Sequence, residues 1–424
     1  MLDLLKLAAV RSRGNFRWVI VALLFAATLI NYMDRQILAL LKPDLAKSLH
    51  WNEQDYGNIV VAFQAAYAIG QVCFGPIIRW IGTKSAYAAS IIFWSLAAMA
   101  HALVRSAAGF SAVRFALGLG ESGNFPAAIQ AVTEWFPQRQ RSVATGVFNS
   151  GSNIGAILAP LIVPWLTFHF GWRSAFVALG AAGFAWLIFW LLLYGAPPPS
   201  HPSDQPAAEK IPWARLLIYR QTWAYVATGI LVGPVWWFYL FWLPDFFNKQ
   251  FGLDLQGFGP PLVAVYAFTA FGSIGGGGLS AWLLRRGWSL NAARKTAALL
   301  CACCAVPVAY TPHTGSVWLA ASLFALAAAA HQAWSATMYT VVSDIFPQSG
   351  VGSVVGLGGT FAAVSSMAFS WFVGHVLQNT GSYSKIMVVC ALAYLLALGI
   401  FHAVVPRLDP VRLEPRPVLP KSSL

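Results

Sequence analysis

Residues 31–36 read NYMDRQ within the otherwise apolar run TLINYMDRQILALL. An Asp or Arg at the centre of a membrane-spanning helix costs roughly 2.5–3.5 kcal/mol on insertion scales, yet Asp34 and Arg35 stand there side by side. Arg114 and Glu121 lie in a second apolar run, RFALGLGESGNFP. Seven residues are two helical turns, so these two share one helix face. Asp34 and Arg35 point about 100° apart and must address different partners. Buried ion pairs rarely gain net stability over apolar packing, and charges inside a membrane usually mark substrate or proton paths. A network that only locks helices together is the structural alternative, and it is compatible with function.

Neutral polar stripes accompany these charges. Gln64, Tyr67 and Gln71 recur at i, i+3 and i+7, and Thr145, Asn149, Ser152 and Asn153 form one broad face. Farther along stand Tyr239 and Trp242, and then His331, Gln332, Trp334 and Ser335 in HQAWS. Donors, acceptors and flat rings of this kind suit a polyhydroxylated ligand. For each residue alone, helix–helix hydrogen bonding or an interfacial aromatic is an equal reading. All four intramembrane charges fall in the first half of the chain, with neutral and aromatic groups in the second. That division fits a ligand with one anionic end and a hydroxylated body, because Arg binds a carboxylate bidentately and stays charged.

Two other motifs lead nowhere chemically. GLGESG (118–123) matches G-x-G-x-x-G, but no strand precedes it and it lies inside an apolar run, so tight helix packing is the expectation. The cysteines of CACC (Cys301, Cys303, Cys304) have no His or carboxylate at a ligand spacing and are expected to pack. No metal and no cofactor is expected.

The elements that must position these residues are membrane helices. Of 424 residues, 58% are hydrophobic and 10% are charged, against about 25% charged in soluble domains. Apolar stretches long enough to span recur throughout. They are expected at 17–42, 54–79, 84–105, 107–131, 142–167, 173–194, 220–247, 259–284, 291–311, 316–341, 350–378 and 382–404. The first span, preceded by a basic N-terminus, reads as a retained signal-anchor rather than a cleaved peptide. The Pro-rich segment GAPPPSHPSDQPAAEKIPWAR divides the twelve spans into two sixes, giving halves at 1–194 and 220–405, a linker at 195–219 and a tail at 406–424. The net charge of +13 is not gathered into an arm or stripe, so no nucleic-acid partner is expected. Of the 27 Lys and Arg, nineteen fall in the segments on the linker side and six, Lys42, Lys47, Arg105, Arg173, Lys249 and Lys385, in the opposite loops. By the positive-inside rule both termini are cytoplasmic. A weak repeat joins the halves, since TEWFPQ (133–138) recurs as SDIFPQ (343–348), 210 residues on. At 1.5 Å per residue, Arg35 and Arg114 both lie about 7 Å to the outer side of the midplane.

NYMDR, the R-x6-E of RFALGLGESGNFP, EWFP and WWFYLFWLPDFF resemble the anion:cation symporter family of the major facilitator superfamily, and within it the bacterial hexuronate transporters. The resemblance runs from about residue 17 to 405. It implies an all-α fold of twelve transmembrane helices in two six-helix halves, with the substrate site near the midplane between them. It implies further that Arg35 holds a substrate carboxylate with Tyr67 close by, that Asp34 and Glu121 are the protonatable coupling groups, and that Arg114 interacts with Glu121. The chain departs from the family where Ser152 replaces a frequent Gln and where Ser365 and Ser366 stand near a frequent Asn. It departs again in GPIIRWIG (75–82), where Arg79 and Trp80 replace the usual Asp and Arg. The expectation is a monomeric, proton-coupled symporter of a sugar acid, a hexuronate foremost, in a bacterial inner membrane. The rivals are an aldonate, aldarate or other organic-anion symporter and a non-transporting sensor. No enzymatic chemistry is expected.

Overall fold

The computed structural model describes residues 16–195 and 213–411. The basic N-terminal segment, most of the linker and most of the tail lie outside them. Thirteen α-helices and one 3-10 turn are described. The first half contains α1 (Phe16–Leu49), α2 (Glu53–Ala100), α3 (Ala107–Glu121), α4 (Asn124–Trp135), α5 (Gln138–Phe170) and α6 (Trp172–Leu193). A short α7 (Trp213–Leu216) ends the linker. The second half contains α8 (Arg220–Phe251), α9 (Gly259–Arg285), α10 (Leu290–Ala305), α11 (Val317–Ile345), α12 (Gln348–Thr380) and α13 (Ser384–Val404).

Twelve crossings emerge from these helices. Among the described residues, nine helical segments are long and apolar enough to span, the ninth expected span counted with its 3-10 turn. The second and third expected spans are one helix, α2, bent at Gly82, whose φ of 78° a residue with a Cβ rarely adopts. The fourth expected span is divided: α3 ends at Glu121 and α4 begins at Asn124. The ninth closes in the 3-10 turn Val306–His313. Polar caps start several helices. Asn52 and Asp55 form a capping box at α2, and Ser106, Ser289 and Ser316 cap α3, α10 and α11.

The repeat is structural. α4 stops at an extended Phe136, α11 at an extended Phe346, and in each case a Pro begins the next helix. Pro137 (φ −63°, ψ 151°) and Pro347 (φ −61°, ψ 149°) adopt the same backbone. A Pro at a helix start loses no intrahelical bond, and it keeps the residue before it extended.

The halves meet through α1 with α8, α2 with α12, and α5 with α9. Glycines bring the backbones together at the end holding Lys42. A Cβ on Gly57 would lie 3.3 Å from the Gly374 Cα, and one on Gly259 would lie 2.9 Å from the Pro160 carbonyl oxygen. Lys42 was expected in a loop. It is instead inside α1 and 2% exposed, because α1 continues to Leu49 and places the ammonium against Asp245 of α8 and, at 2.9 Å, Glu53 of α2. Lys249 bridges the same two acids at 2.6 and 3.3 Å. Tyr383 donates to Asp245 at 2.5 Å, and the Glu53 amide donates to Gln378 at 3.0 Å. Two cations and two anions thus alternate across the seam and close this end.

Candidate functional site

On α1, Arg35 donates from Nε to Glu121 Oε2 on α3 at 2.6 Å. Its guanidinium carbon lies 4.5 Å from the Tyr67 ring centroid, 4.8 Å from Tyr32 and 5.9 Å from Trp237. One guanidinium nitrogen, Nη2, and the second Glu121 oxygen have no protein partner. The expected interaction of Arg114 with Glu121 is one of charge, not a hydrogen bond. Arg114 donates to the Arg35 carbonyl at 2.5 Å and to the Asp34 carbonyl at 3.4 Å. The physical reason is reach: Arg35, from the neighbouring helix, occupies the carboxylate, while Arg114 braces the α1 backbone that presents Arg35. Asp34 is 1% exposed, and neither of its carboxylate oxygens has a protein partner.

Close helix contact makes this cluster possible. A Cβ on Gly118 would lie 2.5 Å from the Phe63 carbonyl oxygen, and one on Gly120 would lie 2.7 Å from the Trp94 nitrogen. The GLGESG glycines therefore let α3 press against α2, which brings Glu121 to Arg35 and Tyr67 alongside.

Beside the cluster is a cavity of about 420 Å³, walled chiefly by α8, α11 and α12, with Gln71 entering from α2. His331, Trp334 and Ser335 line it as expected positions, and Trp236 and Trp237 line it unexpectedly. The Trp236 ring stacks on the His331 ring (5.3 Å between centroids, 12° between planes), and His331 Nδ1 is 2.8 Å from the Tyr394 hydroxyl. Trp237 borders both regions. It lies edge-on to Tyr67 at 5.9 Å and near Arg35, and it lines the cavity.

Other expected residues fall elsewhere. Tyr239 and Trp242 are fully buried in the closed plug, Tyr239 against Phe324 and Trp242 against Tyr56. The cavity-facing stripe of α8 is Gly229, Val232, Gly233, Trp236 and Trp237. Tyr239, two turns on from Val232, shares that face but lies beyond the cavity toward the Lys42 end, and Trp242 lies off the stripe. Ser152 donates to its own helix at the Asn149 carbonyl (2.7 Å), and Asn153 meets Thr269 of α9 at 3.5 Å. Gln64 is buried with both amide atoms lacking a protein partner. Gln332, half-buried, follows His331 on α11 and is not among the described cavity-lining residues.

The aromatic cage around Arg35 was partly legible, since Tyr67 was singled out. Trp236 and Trp237 were hidden in an all-aromatic run in which every face looks alike. Small residues one and two turns before them, Gly229 and Gly233, mark the face that opens.

Comparison with known proteins gives matches over most of the chain. It is 31% identical over 414 residues to the hexuronate transporter of Escherichia coli (strain K12), covering 91% of this chain and 93% of that one. It is 33% identical over 263 residues to the galacturonate transporter of Dickeya chrysanthemi, covering 57% and 75%. A crystal structure of a bacterial homolog of the human lysosomal transporter Spinster, inward-facing and unoccupied, superposes with a TM-score of 0.72. It is 17% identical and covers 92% of this chain and 96% of that one, a likeness of fold. The two related sixes of crossings and a family match spanning residues 24–370 lead to one assignment: this multi-pass membrane protein belongs to the Major Facilitator Superfamily.

Proposed function

We propose that this chain is a proton-coupled symporter of a sugar-acid monoanion, a hexuronate such as galacturonate or glucuronate. It acts as a monomer by alternating access in a bacterial cytoplasmic membrane. The termini and the linker, on the face richer in Lys and Arg, are cytoplasmic. The Lys42 end is then periplasmic and closed, with the cavity on the cytoplasmic side.

The observation that carries the reading is Arg35, a buried guanidinium held by a single Glu121 oxygen, with Nη2 unpaired and its Cζ 5.9 Å from the ring of Trp237, which lines the cavity. A substrate carboxylate offers Arg35 the bidentate partner it lacks and displaces Glu121. Glu121, once displaced, must be neutralised in its poorly solvated place, and a proton does so. Binding of the anion and of the proton is thereby linked at one guanidinium. Asp34, buried without a protein partner, is the second carboxyl able to carry a proton. Protons moving with the anion also offset the cost of bringing negative charge into a negative-inside cell.

The cavity wall supplies the rest of the recognition. His331, Ser335 and Gln71 offer hydrogen bonds, Trp236 and Trp334 offer ring faces, and no Lys or Arg is among the described lining residues. One carboxylate has a cation to meet, and a second one would have none. That favours a uronate over an aldarate.

The test is labelled galacturonate uptake into proteoliposomes at several imposed pH gradients. Accumulation above the external concentration, driven by an inward proton gradient, is expected. Binding without accumulation at any gradient would identify a sensor and overturn the reading.

A further inference from the structure

At the linker end, α9 turns into α10 through a corner that carries Trp282, Arg285, Arg286 and Trp288 within seven residues. The turn is fixed on both sides. The Gly287 amide donates to the Leu284 carbonyl at 3.0 Å, and the Trp288 amide donates to the Leu283 carbonyl at 3.2 Å. These are the two bonds of a Schellman motif, and Gly287 has the left-handed backbone it needs (φ 83°). Ser289 then caps α10 by accepting from the Ala292 amide at 3.3 Å. All four side chains are exposed, each Trp by 46%. Trp282 extends an exposed apolar stripe of α9. It lies eleven residues past the exposed Phe271, three turns on, so the two point within about 20° of each other. The corner stands where an apolar helix face gives way to charge.

The cations of this region divide into two kinds. Arg294 donates to Asp344 at 2.8 Å, and Lys295 donates to the Val405 and Pro406 carbonyls at 2.7 Å each. Arg285 and Arg286, at the end of the preceding helix, have no acid partner among the described residues. Arg286 instead lies over the Trp282 ring, its Cζ 4.7 Å from the centroid. The first half has a matching corner. Arg79 and Trp80 come just before the bend at Gly82, whose φ of 78° is close to that of Gly287. Both are exposed, Trp80 by 86%, whereas Lys84, beyond the bend, donates to the Leu191 carbonyl at 2.7 Å. Arg79 and Trp80 are the residues that depart from the family pattern, and neither is among the described cavity-lining residues.

An indole beside a guanidinium matches a phospholipid at the level of its headgroup. The ring has an apolar body for the glycerol region and an N–H for the water side. The planar guanidinium donates twice to a phosphate. Two arginines without acids leave a positive charge that a headgroup of zero net charge does not neutralise and an anionic one does. We infer that the α9–α10 corner is a binding site for an anionic phospholipid headgroup, and that the Arg79–Trp80 corner is its weaker counterpart in the first half. Arg285 and Arg286 hold the phosphate, and Trp282 and Trp288 flank the glycerol region. Each half is thereby fastened to the bilayer at its linker end. The site is independent of what the cavity carries.

A nonspecific band of interfacial aromatics and basic loops is the competing explanation. Native mass spectrometry of the full chain in detergent, titrated with phosphatidylglycerol or phosphatidylcholine, separates the two. The wild type is expected to bind phosphatidylglycerol at least about tenfold more tightly than phosphatidylcholine. One arginine at an anionic surface is worth about fivefold in affinity. Arg285→Gln combined with Arg286→Gln should therefore weaken phosphatidylglycerol binding by about 25-fold. Trp282→Leu keeps both charges and should weaken it by about threefold. Arg79→Gln should weaken only a second, looser phosphatidylglycerol, by about fivefold. Lys385→Gln removes an exposed cation at the opposite end and should change neither. Equal weakening by Lys385→Gln and by the paired arginine variant would overturn the site, as would phosphatidylcholine bound as tightly as phosphatidylglycerol. Displacement of phosphatidylglycerol by inorganic phosphate at equal concentration would identify a free-anion site and overturn the assignment to lipid. The substituted side chains are all exposed, so the variants are expected to fold.

Discussion

Replacing Asp245 with Asn removes one carboxylate from the cluster that closes the Lys42 end. Lys42 is 2% exposed, and its ammonium pairs with Asp245 and with Glu53. Removing one partner of a buried pair costs about 3–5 kcal/mol, mostly from the charge left behind. Here Lys42 keeps Glu53, which is 20% exposed, so about 2–3 kcal/mol is the reasonable loss. It falls on the closed state, because the pairs join α1 and α2 of one half to α8 of the other. At about 1.4 kcal/mol per tenfold, the closed-to-open ratio drops by about 30- to 150-fold. Spin labels at Ser48 on α1 and Asn379 on α12, both exposed at that end, read the gap by double electron–electron resonance. The exposed Cys73 and Cys303 are replaced beforehand. Wild type should give one short-distance population, and Asp245→Asn should add a longer one. Lys42→Met with Asp245→Asn should fall nearer wild type than Asp245→Asn alone, because no uncompensated charge remains at Lys42. An unchanged distance distribution in Asp245→Asn would show that the cluster does not hold the end shut.

Further consequences concern the site and its packing. Arg35→Lys keeps the charge and loses the fork, so galacturonate affinity by calorimetry should fall by about 10- to 100-fold, in line with about 1.5–3 kcal/mol for hydrogen bonds to a charged group; unchanged affinity would remove Arg35 from the site. Gly118→Ala sets a Cβ against the Phe63 carbonyl at 2.5 Å and should cost about 1–3 kcal/mol, seen as a lowered Tm in detergent; an unchanged Tm would contradict the packing described. Tyr394→Phe removes the hydroxyl that fixes His331 and should weaken galacturonate binding by about fivefold, near the 1 kcal/mol of an ordinary hydrogen bond; full affinity would place His331 outside recognition.

The twelve crossings and the two halves were legible because apolar length and the repeated F-P-Q stops are local signals. The split of the fourth span was less so, since the end of α3 at Glu121 and the start of α4 at Asn124, beside glycines pressed against α2, leave no mark in an unbroken apolar run. The charges of the first half were legible as a set, but their pairing was not. Arg114 and Glu121 share a face of one chain segment, which suggests partnership, yet Arg35 from α1 takes the carboxylate and Arg114 turns to carbonyls. Lys42 was misplaced because a Lys at the end of an apolar run looks like a loop residue until Asp245, 203 positions on, is seen against it. Tyr239 and Trp242 were chosen over Trp236 and Trp237 because periodicity cannot pick the open face of an all-aromatic helix.

The most direct measurement is labelled galacturonate uptake into proteoliposomes with and without an inward proton gradient, for wild type, Asp34→Asn and Arg35→Ala. Gradient-driven accumulation by the wild type, abolished by both substitutions, is the predicted result. Accumulation that persists in either variant, or a wild type that binds galacturonate without ever concentrating it, would contradict the coupling of anion and proton at Arg35 and Asp34.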